Sequence, residues 1–325
     1  MKLQNMHYFY SVFLFIINYL LKFILKYDKI NLCEVNMNKL WLYPENETPF
    51  QFNPTAEDDN LEARIVLNQS TINAYAESHG PSIINKVTKK QLVLNAISAA
   101  GLEQEDFTSE LPPFKEEIEQ ENLLRIDDFM SAQNLLLNRL KKEPYLYVDL
   151  LPFLHKELSK NNLDLSRYEI GRLRDQYSST PVIGYFTPTE GAKVSSELNI
   201  ALCEWGYVDK TGKSNMFEKI AKLHAQIVRI QPFVDGNKRI AYLVTNAMLA
   251  LHGFPTIELC HGTEENKNYN NSLKTAIVKR DVTPLARIIE NKVLEQQEEI
   301  ITAIRVNETE HAISDLNKKS DRIQK

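Results

Sequence analysis

The stretch Gln231-Pro232-Phe233-Val234-Asp235-Gly236-Asn237-Lys238-Arg239 decides the reading of this chain. Immediately after it, Ile240, Leu243, Val244, Ala247, Met248 and Leu251 recur at the spacing of one helix face, and Gly253 stands where a C-terminal cap belongs. The Asp235-Gly236-Asn237 loop therefore feeds backbone N–H groups into a helix N-terminus. That end of a helix carries partial positive charge and orphan donors, so it suits an anion. Lys238 and Arg239 add full positive charge at the same place. Arg239 is informative because a cation is disfavoured at a helix N-terminus unless an anion accompanies it. The loop reads as a phosphate site.

Composition sets the frame around that loop. With 325 residues, 43% hydrophobic and 25% charged, the chain has room for one large domain and a smaller one with a substantial core. A net charge of −5 provides no global basic field, so no nucleic-acid partner is expected. The pairs Lys89–Lys90 and Lys141–Lys142 read as solvated faces. Cys33, Cys203 and Cys260 are widely spaced and lack metal-type pairing, which fits a reducing compartment or plain core cysteines. A cytoplasmic protein is the expectation, with a membrane-anchored or secreted effector as the alternative.

That alternative comes from residues 1–36. Phe9 to Leu21 is almost wholly apolar and Phe23-Ile24-Leu25 continues it beyond Lys22, short of the ~20 apolar residues of a spanning helix. No small-residue cleavage site follows. Met37 opens a more ordinary beginning, so an over-extended start, a membrane anchor and a signal-like or interfacial helix are all open readings, and a membrane partner depends on this leader. Residues 37–114 read as an N-terminal irregular and helical region. Its 37–60 portion is irregular, and the rest holds two helices split at His79-Gly80-Pro81-Ser82. Asp106 to Pro113 reads as a loop. From Phe114 a helical pattern runs through Leu123, Leu124, Phe129 and Leu135, then Tyr147, Leu150, Leu154 and Leu158. Gly184 to Ala192 is the one good hairpin candidate. Residues 293–325 read as a charged helical tail fraying at Lys318 to Arg322. Few glycines and little strand-like alternation predict an all-α bundle with one small hairpin.

The loop resembles the signature of the Fic/Doc family of nucleotide-dependent protein-modifying enzymes, His-Pro-Phe-x-Asp/Glu-Gly-Asn-Gly/Lys-Arg. Every position agrees except the first, where Gln231 stands in place of the family's His. Leu223 to Ile230 resembles the helix that leads into the motif. Ile170-Gly171-Arg172-Leu173-Arg174 with Val182-Ile183-Gly184-Tyr185 resembles the segment bearing the family's flap, a short hairpin over the active site. Tyr269 to Leu273 and Asp281 to Leu285 resemble the closing helices. The resemblance spans about residues 115–292 and implies a Fic-type helical domain there.

The resemblance implies ATP as substrate, Mg2+ on Asp235, and phosphates held by Gly236, Asn237, Lys238 and Arg239. For Asp235 the plainer reading is an N-cap of the following helix. Gly236 suits a left-handed turn or a close backbone approach, Asn237 a turn, and Phe233 a core plug. His224, two turns before the loop, reads as a satisfied core or surface residue. The family's His takes the proton from a Tyr, Thr or Ser hydroxyl of the target. Gln231 lacks a basic nitrogen, so it is expected to position that hydroxyl without accepting its proton, at a loss of about 10²- to 10⁴-fold in rate. Lys238, where most adenylylating members have Gly, resembles the Doc branch. The family's inhibitory pattern Ser/Thr-x-x-x-Glu-Gly/Asn is not found: Ser214 to Glu218 has the spacing, but Lys219 follows. Tyr242 occupies the place of the longer motif's second Arg. Either an inhibitor acts in trans or none is needed. Three readings follow: a weakened protein adenylyltransferase, a non-catalytic module binding nucleotide or a protein through the flap at Val182 to Tyr185, and a Doc-like phosphotransferase.

Overall fold

The computed structural model describes residues 49–101, 120–162, 165–181, 183–206, 215–260 and 262–323. Its elements are α1 (Ala56–His79), α2 (Ser82–Gly101), α3 (Gln120–Leu140), α4 (Leu150–Leu158), α5 (Gly191–Trp205), α6 (Met216–Ile230), α7 (Asn237–Leu251), α8 (Gly262–Val278) and α9 (Thr283–Ile323). Among the described residues there are no strands, only one isolated parallel bridge between Gln51 and Asp281. The expected all-α class is found. The leader 1–36, the Asp106 to Pro113 loop, Phe114 and Val182 lie outside the described residues. No described helix is long and apolar enough to cross a membrane.

The pair α6–α7 is the centre of the bundle. α6 packs against α5, α7, α8 and α9, while α7 also meets α2, α3 and α4. Each presents a fully buried apolar stripe, Ile220, Leu223, Ile227 and Ile230 on α6 and Ile240, Val244, Ala247 and Met248 on α7. Because both helices of the motif are buried on most sides, the loop between them has little freedom to move. Cys260 is a buried thiol 3.7 Å from Ser98 Oγ, the plain core cysteine of the sequence reading.

Three boundaries differ from the sequence reading. The irregular 37–60 stretch already contains the start of α1 at Ala56. Its acidic run Glu57-Asp58-Asp59 is polar because a helix N-terminus attracts carboxylates, and Asp58 Oδ2 accepts from Thr55 N at 2.7 Å to fix the first turn. The turn at Gly80 falls where expected, with φ 79°. At the other end, α9 runs unbroken through 292 and through Lys318 to Arg322, 41 residues or about 60 Å. The hairpin over Gly184 to Ala192 is a turn at Gly184–Tyr185 within irregular chain, without a strand ladder among the described residues. Pro181 and Pro188 each remove a ladder donor from this short stretch.

α1 and α9 are held side by side at a polar seam. Arg287 of α9 forks onto Asp58 at 2.6 and 2.7 Å, and holds that carboxyl well below its ordinary range. One turn along α9, Glu290 is buried beside Asp58 and Glu62, and desolvation followed by those two charges pushes its carboxyl up to about 8. The folded protein therefore keeps a proton that the unfolded chain releases above its ordinary value of 4.5. Stability is then full below that value and falls as pH rises towards about 8. Glu290→Gln should raise Tm by several degrees near pH 8 and by much less near pH ~5. Thermal melts at both pH values check this; an equal shift at both would remove the titration argument.

Candidate functional site

The site is built on the way α6 ends. Asn215 caps its start by accepting from Glu218 N at 3.0 Å. Its last helical residue is Ile230, and Gln231 turns into the left-handed region at φ 51° while its N–H closes onto Ile227 O. A non-glycine residue there costs about 1–2 kcal/mol, so the surroundings must hold it. They do so through both ends of the Gln231 amide. Nε2 donates to Val228 O at 2.7 Å, and Oε1 accepts from Asn237 Nδ2 at 2.7 Å. Gln231 is only 5% exposed. Its amide is thus committed to the loop itself, which corrects the expectation that it is directed at an incoming hydroxyl.

Arg174 completes the cap. Its guanidinium is buried and donates through Nε to Gln231 O and through Nη2 to Ile230 O and Thr189 O, while its own N–H donates to Pro232 O. A cation at a helix C-terminus is favoured by the helix dipole. Asn237 ties the far side of the loop. Its Oδ1 accepts from Phe233 N and its Nδ2 donates to Phe233 O, both at 2.9 Å. Phe233 is the core plug that was expected, fully buried and stacked on His155 at 4.0 Å with ring planes 2° apart.

Gly236, with φ 76°, is the N-cap of α7, so the plainer reading of Asp235 as that cap does not hold. A glycine cap has no side-chain acceptor of its own, and its left-handed φ is the reason this position suits glycine. Asp235 instead accepts on Oδ2 from Asn162 Nδ2 at 3.0 Å and from Arg239 Nη2 at 3.1 Å, with its side chain still 42% exposed. Arg239 is not a solvated first-turn residue: its side chain is 3% exposed and lies under the loop. The anion that its position demands is therefore supplied first by Asp235. Lys238 reaches sideways to Asn270 Oδ1 of α8 at 3.2 Å. A cavity of about 240 Å³ opens above, lined by Pro181 and Ile183 of the flap segment and by Gln231, Val234, Asp235, Gly236, Asn237 and Lys238. The candidate site residues Gln231, Asp235, Gly236, Asn237 and Lys238 are thus brought together around it, with Arg239 beneath. The flap segment is moored by Thr189, whose hydroxyl donates to Glu197, and by Tyr185, whose ring lies 5.6 Å from Lys274 Nζ.

Sequence reading passed over two residues of this site. His155 of α4 is fully buried. Its Nδ1 accepts from Gly171 N at 2.9 Å, so the proton sits on Nε2, which donates to Asp235 O at 3.1 Å. Burial pulls its pKa down to about 4, keeping the ring neutral. Asn162, just beyond the same helix, is the other. Neither belongs to a motif, and only their contacts reveal them. His224 is a satisfied core residue as expected, 2.8 Å from both Thr245 Oγ1 and Tyr269 Oη. Tyr242 is buried away from the loop and donates to Ile257 O.

Residues 145–249 match the family model for the Fic/DOC family, a narrower stretch than the expected 115–292. The protein adenylyltransferase fic-1 of Caenorhabditis elegans is 31% identical over 121 residues, covering 37% of this chain and 22% of that protein. Its Caenorhabditis briggsae counterpart is 30% identical with the same coverage. The chain thus spans 22% of the length of these curated relatives. In fold it is similar to a solved Caenorhabditis elegans Fic-1 structure, with TM-score 0.61 and 20% identity over 76% of this chain and 72% of that one. A Fic domain containing signaling protein from Bacteroides thetaiotaomicron gives 0.60 and 17% over 76% and 98%.

Arg174→Met should leave three buried carbonyls without their donor and cost about 3 kcal/mol in a urea melt. The exposed neighbour substitution Arg172→Met should stay within roughly 0.5 kcal/mol of wild type. Equal effects of the two would mean that the helix end does not depend on the guanidinium. The capped loop and the buried helix pair that carries it lie within the stretch 145–249 that matches the Fic/DOC family model.

Proposed function

We propose that this domain binds ATP with Mg2+ at the N-terminus of α7 and is a weakened relative of the protein adenylyltransferases. The observation that carries the reading is the Gln231 amide, bonded to the helix end at Val228 O and to Asn237 across the loop. A loop whose helix begins on a glycine, beneath a 240 Å³ cavity with Lys238 at its edge, suits a polyphosphate. Asp235 offers a hard oxygen at the same cavity, and no group of three or more His, Cys, Asp or Glu converges among the described residues. A single carboxylate fits Mg2+, which is commonly held by one or two carboxylates plus water and phosphates. When bound, that ion neutralises phosphate charge.

The chain's own residues then do the positioning. Asn237 and Arg174 keep the loop shape, and Lys238, anchored by Asn270, places a point charge beside the phosphates. Proton removal from the target hydroxyl is what this site lacks. The cavity lining contains no histidine. His155 and His224 are both buried, with both ring nitrogens engaged, so neither substitutes for the missing base. The target protein docks, in this reading, along the flap segment at Ile183 to Tyr185, and an inhibitor acting in trans has the same access. The second reading, a non-catalytic module that binds nucleotide or protein, is favoured by the same commitment of the Gln231 amide. A Doc-like phosphotransferase would show transfer of the γ-phosphate instead.

Calorimetric titration with ATP and magnesium should give dissociation tighter than ~1 mM, weakened at least about tenfold by Asp235→Ala. Gln231→His should raise labelling of lysate proteins from α-labelled ATP by roughly 10²-fold. Binding without any gain in labelling selects the non-catalytic module, and label arriving only from the γ position selects the phosphotransferase. A wild-type rate already equal to that of Gln231→His would overturn the missing-base argument.

A further inference from the structure

Asp235 is held by a residue that lies outside the motif. Asn162 Nδ2 donates to Asp235 Oδ2 at 3.0 Å, and Arg239 Nη2 reaches the same oxygen at 3.1 Å. Two donors converge on one carboxylate oxygen, and neither bonds to Oδ1. To turn Oδ2 towards a cation the side chain must give up both bonds, one of them charge-assisted with a guanidinium that is 3% exposed. Asn162 is itself firmly delivered. Its N–H closes onto Ser159 O at 3.1 Å, and the preceding Asn161 donates through N and Nδ2 to the buried Asp128 of α3 at 3.1 and 2.6 Å. His155, two turns earlier, holds Asp235's main-chain oxygen. One helix end thus fixes both the backbone and the side chain of the motif acid.

We infer that Asn162 is a positioning residue that confines Asp235 to a one-oxygen contact with its cation and thereby favours Mg2+ over Ca2+. The inference rests on the reading of Asp235 as the magnesium ligand. Magnesium is small, octahedral and reluctant to shed water, so a single carboxylate oxygen among phosphates and waters satisfies it. Calcium takes six to eight oxygens at longer range and gains from carboxylates that offer both. Occupying Oδ2 with two hydrogen bonds withholds the second oxygen. Outer partners of this kind typically tune metal affinity by about 10- to 100-fold.

The test is calorimetric ATP binding to the full chain without metal, with Mg2+ and with Ca2+, for wild type, Asn162→Ala, Asn162→Gln and Asp235→Ala. Asn162→Ala should weaken the magnesium-dependent part of binding about tenfold and narrow the Mg2+ over Ca2+ preference, leaving metal-free binding and the thermal melt unchanged. If the alanine variant melts early, Asn162→Gln keeps the amide but displaces it by one methylene, and should lose preference at a wild-type Tm. Wild-type metal preference in a folded Asn162 variant, with the metal effect lost in Asp235→Ala, overturns this inference alone. A metal effect that survives Asp235→Ala overturns the magnesium reading and this inference with it. An equal loss of metal-free and metal-dependent binding in the folded Asn162 variants assigns Asn162 a general structural role and also overturns it.

Discussion

The C-terminal end of α6 is the constraint on which the rest of the site depends. A helix leaves its last carbonyls without partners, and this helix ends in the interior, where water cannot supply them. Arg174 meets the need with a planar, always-charged fork that spans Ile230 O, Gln231 O and Thr189 O. A lysine would bring the charge without the geometry. Because the third acceptor belongs to the flap root, the same guanidinium that ends α6 also sets where the flap begins. Gly191 tightens that joint: a Cβ there would lie 1.9 Å from Asp175 O, so no larger residue fits. Helix end, loop and flap root therefore move, or stay, together.

Much of this was legible in the sequence because it is local. The periodicity after Arg239, the turn at Gly80-Pro81 and the cap near Gly253 each depend on residues within a few positions, and each lies where expected. Composition misled at Ala56, where acids that look like loop are the favoured first turn of a helix. The hairpin was read from turn residues alone, which do not report whether a neighbouring strand exists to receive the hydrogen bonds. At the site, the motif was legible and its supports were not. His155, Asn162 and the capping role of Arg174 act over separations of 57 to 80 residues. Contacts at such distances leave no periodicity or spacing to read. Arg239 is the instructive intermediate: dipole reasoning required an anion beside it, and one is there, but it is Asp235 of its own loop.

Gln231 stands where the resembled motif has His, and its amide has a structural role of its own. An amide offers a donor and an acceptor on a flexible stem of two methylenes, and here it reaches Val228 O in one direction and Asn237 in the other. A neutral imidazole also has one donor and one acceptor, but a rigid ring fixes the angle between them. The two side chains therefore place different demands on the loop. Gln231 is part of the cap that holds its own left-handed backbone, and its side chain stabilises the loop.

The cavity is assembled from pieces far apart in the chain, and α8 links two of its neighbours. Asn270 of α8 holds Lys238 at the loop, and Lys274, one turn further on the same helix, packs its ammonium on Tyr185 of the flap segment. Lys238 is therefore not a freely swinging cation, because an amide carbonyl fixes the direction of its charge. Tyr185 is similarly weighted towards the bundle by a cation–π contact, an interaction of ~0.5–1 kcal/mol at a half-exposed position. A contact that weak holds the flap segment without locking it. Asn270 and Lys274 lie one turn apart on α8, so the helix that fixes Lys238 also carries the contact with Tyr185. The motif loop and the flap segment are both tied to α8, an element outside the nine-residue motif.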